Sequence, residues 1–312
     1  MTPISTARVS HDEKQLPIAP KSPSSLTLSI KTIGQTRVST RHHSKGANVT
    51  DMTATSETTP QSDVIVERFG GIAVITLNNP ARKNALTPDL AGHLVTALDE
   101  IEVDYSIGAL IIKGNGGVFC SGADLSALGS LMDDPLSESS YDALGQIYRA
   151  FTRFGEVGIP TIAAVRGSAV GAGVNLAMAA DVRIVADDAR FISGFFKLGL
   201  HPGGGHFQLL AHESGREAAA AMGIFSQEIS GTRAVELGLA WESVDDSLVE
   251  QRAMALAGQA AVDPDLSRKA VESLRQTTPP AVPWIAALQA ERASQLWSLR
   301  RAATRRNDAP PN

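Results

Sequence analysis

From residue 63 onward, short apolar runs alternate with segments of helical periodicity, and this alternation constrains the fold more than any other feature. Residues 64–68 and 72–77 flank a Gly70-Gly71 turn, which predicts a β-hairpin. Further strands are predicted at 109–112, 161–165 and 182–185, and helices at 88–101, 171–180, 215–222, 232–237, 246–261, 265–276 and 281–303. Strands separated by helices require crossover connections. The pattern therefore predicts an α/β fold with a mainly parallel sheet and a helical C-terminal region.

The first 62 residues differ in composition from the rest. Of these 62, 21 are Ser or Thr and no apolar periodicity persists, so the segment cannot bury enough surface to offset the entropy lost on ordering. We expect residues 1–62 to be a disordered extension, residues 63–255 to form the core and residues 256–312 to form the helical region. Two origins of the extension stay open: an organellar transit peptide, and upstream sequence before a true start at Met52.

Composition excludes several classes of protein. A hydrophobic fraction of 43% with 20% charged residues is typical of a globular protein. The net charge of -5 lacks the basic footprint of a nucleic-acid binder, and no apolar run is long enough to span a bilayer. The single cysteine, Cys120, excludes an intrachain disulfide and a cysteine-based metal site. We therefore expect a cytoplasmic protein with no metal and no nucleic-acid or membrane partner.

Two junctions between a strand and a helix carry glycines and other small residues. In the first, residues 119–125, Gly122 permits a tight turn and leaves the following backbone N–H groups unpaired. In the second, residues 167–173, small side chains allow a ligand to approach the backbone. Together the junctions could direct two N–H donors at one oxygen, and a thioester carbonyl that gains negative charge is a suitable ligand.

Four segments, in this order, resemble the enoyl-CoA hydratase/isomerase (crotonase) family. They are NPARKNAL at 79–86, FCSGADL at 119–125, PTIAAVRGSAVGAGVNLAMAAD at 160–181 and RAVELGL at 233–239. The resemblance covers about residues 63–260. It implies repeated ββα units around a mainly parallel sheet, an acyl-CoA thioester as substrate, no cofactor beyond the coenzyme A of that substrate, and homotrimers or homohexamers.

The resemblance also implies roles for individual residues. The backbone N–H groups of Ala123 and Ala172 match the oxyanion hole of the family, which usually has glycine at the second position. Further CoA-binding positions implied by the match are Arg82, Lys83, Asp124 and Leu125.

Other interpretations of these side chains stay open. Arg82 and Lys83 could equally be solvated loop charges. Asp124 is better explained as the cap or first-turn anion of the following helix than as a catalyst. Cys120 is better explained as a packed small hydrophobe than as a reactive thiol, and Lys197 as a surface or subunit-contact charge.

The chain departs from the family where hydratases carry their two catalytic glutamates. The matching positions hold Asn175 and Phe195, and a third position, where related isomerases carry an aspartate, holds Gly203. General acid/base catalysis needs a titratable group, so hydration by a glutamate pair is disfavoured. Asn175 and Phe195 are expected to contact the substrate instead, with Asn175 orienting a water or a polar acyl group.

Two histidines flank the glycine run at 203–205. They are His201 and His206. An unperturbed imidazole suits proton transfer near neutrality, and His201 is our candidate catalyst. The alternative is that both bond to backbone as loop and helix-start residues. Three hypotheses follow: a lyase or isomerase acting through a thioester enolate, a non-catalytic acyl-CoA binder or carrier, and a protein with a role in assembly alone.

Overall fold

The computed structural model describes residues 63–124, 126, 129, 133–277 and 283–307, and the predicted extension at 1–62 lies outside these ranges. The strands are β1 (Val64–Phe69), β2 (Ile72–Leu77), β3 (Ala109–Gly114), β4 (Thr161–Val165), β5 (Ser168–Val170), β6 (Val182–Ala186), β7 (Arg190–Ile192), β8 (Ile229–Ser230) and β9 (Glu242–Val244). The helices are α1 (Pro88–Glu102), α2 (Glu138–Glu156), α3 (Ala172–Met178), α4 (His206–Gly223), α5 (Gly231–Glu236), α6 (Val249–Ala260), α7 (Pro264–Thr277) and α8 (Trp284–Asn307). Every predicted strand is present.

The strands form two sheets. The six-stranded sheet has the order β1-β2-β3-β4-β6-β9, in which only the β1–β2 hairpin is antiparallel. All six residues of β2 are buried, as expected for a strand covered on both faces. The smaller sheet has the order β5-β7-β8, with β5 parallel to β7. The prediction of an α/β fold with a mainly parallel sheet is confirmed.

Helices α1 and α2 pack against each other, although only α1 was predicted. Helix α1 begins as expected, with Pro88 at its first turn and the Thr87 hydroxyl accepting from the Leu90 N–H at 3.1 Å. Helix α2 is strongly amphipathic. Its apolar residues recur at helical spacing and are buried: Leu144, Ile147, Tyr148, Phe151 and Phe154.

The chain after Gly203 is mostly helical, as predicted. Helix α4 begins earlier than expected and contains a non-helical residue, Gly215, where the sequence pattern predicted a helix start. Helix α6 packs on β3, β4 and β6, so the predicted domain boundary at residue 255 falls inside a helix of the core. Helix α8 packs on α4 and contributes Gln295 to the lining of the cavity described below.

No helix in the described ranges combines the length and the apolar character needed to cross a membrane.

Candidate active site

The first glycine junction places one backbone donor at the cavity. Leu86 and Ala123 form a parallel bridge, in which Leu86 N–H donates to the Gly122 carbonyl and Asp124 N–H donates to the Leu86 carbonyl. The neighbours of Ala123 make these bonds, so its own N–H points to the opposite side. Among the described residues, the Ala123 N–H has no acceptor.

The second junction places another donor at the start of α3. Gly171 N–H donates to the Ile192 carbonyl at 2.9 Å, and Gly171 has φ 52° and ψ −113°, a conformation that glycine adopts without strain. Ala172 is the first helical residue, where a backbone N–H has no partner inside the helix. No acceptor for the Ala172 N–H lies within the part of the chain that the structure describes.

Close backbone packing holds the two junctions together. Cys120 and Ala169 form a parallel bridge, with Cys120 N–H donating to the Ser168 carbonyl at 3.2 Å. A Cβ on Gly173 would overlap the Cys120 carbonyl oxygen. A Cβ on Gly122 would lie 2.6 Å from the Val170 oxygen and 3.6 Å from the Ala172 nitrogen. The glycines therefore bring both donors to one place.

Both donors lie in the wall of a cavity of about 540 Å³. Of the predicted catalytic and substrate-binding residues, seven line this cavity: Arg82, Lys83, Ala123, Asp124, Ala172, Asn175 and Phe195. Leu125 lies outside the described residues. His201 is not among the described residues that line the cavity. The cavity therefore brings together residues that are far apart in the sequence.

Charged residues mark the rim of the cavity. Arg82 Nη1 lies 3.0 Å from Asp124 Oδ2, and the arginine side chain is about half exposed. Asp124 Oδ1 also accepts from the Ser126 N–H at 3.0 Å, which agrees with its interpretation as a local cap. Lys83 and Lys197 are exposed. Lys83 and the ion-paired Arg82 therefore both present cationic groups at the rim.

Cys120 lies beneath this wall and is inert. Its side chain is fully buried, and burial raises the pKa of the thiol to about 12. A thiol that stays protonated at neutral pH is a poor nucleophile. The interpretation of Cys120 as a packed hydrophobe is confirmed.

The three positions that lack carboxylates are filled in different ways. Phe195 packs its ring on His206, with ring centroids 5.0 Å apart. A side chain at Gly203 would overlap the Gln295 amide, which reaches into the cavity from α8 and accepts a hydrogen bond from the Tyr148 hydroxyl. An aspartate at position 203 would therefore require the Gln295 amide, the flexible end of its side chain, to move out of this space.

Asn175, the third of these positions, belongs to a buried hydrogen-bond chain. Its Nδ2 donates to the Gly203 carbonyl at 3.0 Å, and its Oδ1 lies 2.7 Å from His206 Nδ1. His206 Nε2 lies 2.7 Å from the hydroxyl of Ser193, which also lines the cavity. Burial lowers the pKa of His206 to about 3, so the ring is neutral at physiological pH.

A carboxylate caps the backbone at the start of α4. Glu291 on α8 accepts from the His206 N–H at 2.8 Å and from the Phe207 N–H at 3.2 Å. Burial nevertheless raises the pKa of Glu291 to about 7. Helix α8 is thus tied to the cavity wall by a group that titrates near neutrality.

His201 is oriented by backbone contacts. Its Nδ1 donates to the Pro202 carbonyl at 2.6 Å, and its own N–H donates to the Ser298 hydroxyl at 2.8 Å. Its ring packs edge-on against Phe207. This placement agrees with the alternative interpretation of a loop residue bonded to backbone, and gives no support to His201 as the catalyst.

Sequence reasoning missed three residues of the site: Tyr148, Ser193 and Gln295. The apolar periodicity of α2 could have located Tyr148. Nothing in the local sequence distinguishes Ser193 or Gln295, since each reaches the site only through the packing of β7 on β5 and of α8 on α4.

The chain is similar to known proteins over most of the described region. Residues 67–298 match the sequence profile of the family described as Enoyl-CoA hydratase/isomerase. The probable enoyl-CoA hydratase EchA14 of Mycobacterium tuberculosis is 40% identical over 209 residues, which cover 67% of this chain and 80% of that protein. The 1,2-epoxyphenylacetyl-CoA isomerase of Escherichia coli is 32% identical over 212 residues, covering 67% and 81%.

This chain is also similar in fold to a protein of known structure. The crystal structure of an enoyl-CoA hydratase from Polaromonas sp. JS666 has a TM-score of 0.65 and 27% sequence identity, and the match covers 78% of this chain and 91% of that one. The expected crotonase-like fold is thereby confirmed. The profile match and the relatives together show that this chain belongs to the enoyl-CoA hydratase/isomerase family.

Proposed function

We propose that the protein binds an acyl-CoA thioester with the carbonyl oxygen between the N–H groups of Ala123 and Ala172. The observation that carries this proposal is the pair of N–H donors, each without an acceptor among the described residues, in the wall of one cavity. Preorganised donors of this kind stabilise an oxygen that gains negative charge, as in an enolate or a tetrahedral intermediate. In the enolate the charge develops when a proton leaves the α carbon.

The rim of the cavity supports the same substrate class. Coenzyme A carries phosphate groups, and Arg82 and Lys83 line the rim as exposed cations. The Arg82–Asp124 ion pair holds the guanidinium against the cavity entrance. Phosphates at the rim would leave the acyl group to occupy the apolar interior, near Leu144, Ile147 and Leu200.

The proposed step is a proton shift or an addition at the acyl chain that does not use two glutamates. Asn175, Phe195 and Gly203 supply no carboxylate, and Gln295 fills the space beside Gly203. The same observation favours a second candidate, a non-catalytic acyl-CoA binder. Relatives named as a hydratase and as an isomerase do not choose between these reactions.

The substitution Ala172→Pro tests the proposal because it replaces the N–H donor with the Cδ methylene of the proline ring. Proline is accepted at the first position of a helix. The control, Ala172→Gly, keeps the donor. With [1-13C]butyryl-CoA, wild type and Ala172→Gly should shift the carbonyl carbon resonance downfield on binding, and Ala172→Pro should bind with a much smaller shift. Equal shifts in all three proteins would contradict the oxyanion hole.

Exchange of the butyryl α-protons in D₂O distinguishes the two candidate functions, an enzyme and a non-catalytic binder. In an enzyme acting through the enolate, we expect Ala172→Pro to slow exchange by about 100- to 1000-fold, the usual loss for one oxyanion donor. A wild type that shifts the carbonyl resonance without any exchange would favour the non-catalytic binder.

The variant His201→Ala tests the candidate catalyst of the sequence analysis. If it turns over enoyl-CoA substrates at the wild-type rate, His201 has no part in the mechanism.

A homotrimer or homohexamer is proposed as the assembly. Large apolar side chains that are exposed in the single chain support a subunit contact, among them Phe225 at 69% and Trp241 at 71% exposure. Sedimentation velocity at micromolar concentration measures this directly, and a single species with the mass of one chain would contradict it.

A further inference from the structure

A serine, a histidine and an asparagine form one directed hydrogen-bond chain in the wall of the acyl cavity. Asn175 Nδ2 donates to the Gly203 carbonyl, so Oδ1 is the amide atom that faces His206. An amide oxygen only accepts hydrogen bonds, so His206 carries its proton on Nδ1. His206 Nε2 is then an acceptor, and the Ser193 hydroxyl at 2.7 Å donates to it.

Hydrogen bonds that run from the serine to the histidine and from the histidine to the asparagine are those of an activated serine. The hydroxyl of an activated serine donates a hydrogen bond to one nitrogen of a neutral imidazole, and a third group holds the other imidazole nitrogen. Full burial keeps the His206 ring neutral and lowers its pKa to about 3, so the ring takes the serine proton only as the thioester oxygen gains negative charge in the same step. Asn175 fixes the tautomer as a carboxylate would, without adding charge.

Ser193 also lies beside the oxyanion donors. Gly171, which precedes Ala172, donates to the carbonyl of Ile192, the residue before Ser193. A Cβ on Gly171 would lie 3.5 Å from the Ser193 carbonyl oxygen. Ser193, Ala123 and Ala172 all line the same cavity. A nucleophile and two oxyanion donors around one cavity are the parts that acyl transfer requires.

We propose that Ser193 is a nucleophile that accepts the acyl group from an acyl-CoA thioester, with His206 as general base and Asn175 as a positioning residue. The inference rests on the thioester binding of the proposed function, but not on its enolate step. The predicted net reaction is hydrolysis of an acyl-CoA to a carboxylic acid and the free thiol of coenzyme A.

The steps balance without an oxidant or a reductant. Ser193 Oγ bonds to the carbonyl carbon, its proton passes to His206 Nε2, and the carbonyl electron pair moves to the oxygen held by Ala123 and Ala172. The tetrahedral intermediate collapses, the carbon–sulfur bond breaks, and the thiolate takes the proton from His206. Water then attacks the acyl-serine ester through the same base, which releases the acid and restores the Ser193 hydroxyl.

Thiol release from butyryl-CoA and octanoyl-CoA, followed with a disulfide reagent, measures the reaction in the full-length protein. The buried thiol of Cys120 contributes little background. We expect Ser193→Ala to lower thiol release by about 100-fold or more. The control Ser140→Ala removes another buried serine, one whose hydroxyl bonds to the Asp134 carbonyl, and should keep the wild-type rate.

A fluorophosphonate probe tests the serine independently of any acyl-CoA. Intact mass and peptide mapping should place one label on Ser193 in wild type and in Ser140→Ala, and none in Ser193→Ala. Asn175→Leu should slow labelling, and Asn175→Asp, which keeps an oxygen toward His206 Nδ1, should restore it. A structural role for Asn175 alone would not produce this split between two folded variants.

The outcomes separate this inference from the proposed function. No label on Ser193, together with thiol release equal in wild type and Ser193→Ala, would overturn the inference. If the carbonyl resonance of bound butyryl-CoA still shifted in that case, the proposed function would stand. Labelling of Ser193 without any binding of acyl-CoA would overturn the predicted substrate and the proposed function together.

Discussion

The cavity has two walls of different construction. The backbone wall, formed by Gly122, Ala123, Gly171 and Ala172, offers N–H donors and no reactive side chain. The side-chain wall, formed by Asn175, Ser193, Phe195 and Gln295 with His206 behind it, offers hydroxyl, amide and aromatic groups. The backbone wall holds the two donors that the sequence resemblance predicts, whereas the side-chain wall has Asn175 and Phe195 at two positions where that resemblance predicts glutamates.

The difference shows that the two parts of an active site are constrained in different ways. A backbone donor depends on the path of the chain, so it tolerates any small side chain that leaves the path unchanged, such as Ala172 in place of glycine. A side-chain acid or base is lost by one substitution, and neighbours such as Gln295 can then fill its space. A fold can therefore keep a pair of backbone donors while the side chains beside them change.

The largest loss of stability should come from a substitution that disrupts the packing of the backbone wall. Gly173→Ala places a Cβ onto the Cys120 carbonyl oxygen, and neither backbone can retreat without separating the junctions. We expect a loss of about 3 kcal/mol or more in the free energy of unfolding, measured by chemical denaturation. The control Gly92→Ala, in an open position of α1, should gain about 0.5 to 1 kcal/mol. Equal stability of the two variants would show that the close approach is unimportant.

The second-largest effect on stability should come from Glu291, the carboxylate that ties α8 to the side-chain wall, and it should depend on pH. The pKa of Glu291 in the folded state, about 7, lies above its ordinary value of 4.5. The folded state therefore binds more protons than the unfolded state between these pH values, and stability falls as the pH rises from about 4.5 to 7.

Comparison with Glu291→Gln isolates this contribution, because buried His206, whose lowered pKa acts with the opposite sign, is present in both proteins. From pH 5 to pH 8, wild type should lose on the order of 2 to 3 kcal/mol relative to Glu291→Gln. Thermal unfolding across this range measures the difference. A constant difference would mean that Glu291 titrates at its ordinary value.

A smaller effect should follow from removing the amide of the side-chain wall. Asn175→Leu leaves the His206 Nδ1–H and the Gly203 carbonyl buried without their partner. An unsatisfied buried polar group costs about 1 to 3 kcal/mol, so we expect unfolding to require about 2 kcal/mol less. Because the backbone wall is unchanged, the carbonyl shift of bound [1-13C]butyryl-CoA should persist. Loss of that shift would mean that the two walls depend on each other.

The smallest effect on stability should come from the rim. The Arg82–Asp124 pair has an arginine side chain that is 54% exposed, and such pairs contribute less than about 1 kcal/mol. Arg82→Ala should leave unfolding nearly unchanged while it weakens binding of coenzyme A by several-fold, more at low than at high salt. Calorimetry at two salt concentrations tests this. Binding that is unchanged at low salt would support the alternative of a solvated loop charge.

Local sequence pattern determined much of the fold. The hairpin of β1 and β2, the start of α1 at Pro88, and the buried strands β3, β4 and β6 all follow from apolar periodicity and turn chemistry, which depend on near neighbours in the chain. The glycine junctions were also predictable, because small residues between a strand and a helix leave backbone groups unpaired. The pattern missed α2 despite its amphipathic face.

Tertiary structure decided the side-chain wall. Asn175 lies on α3, His206 begins α4 and Ser193 directly follows β7, while Gln295 lies on α8, 100 positions after Phe195. Hydrogen bonds between such residues depend on how β7, α3, α4 and α8 pack, which no local periodicity encodes. The sequence by itself thus predicted two backbone donors at the glycine junctions. The burial of His206, its neutral state and its serine partner emerged only when the chain was packed, because burial and hydrogen-bond direction are properties of the surroundings.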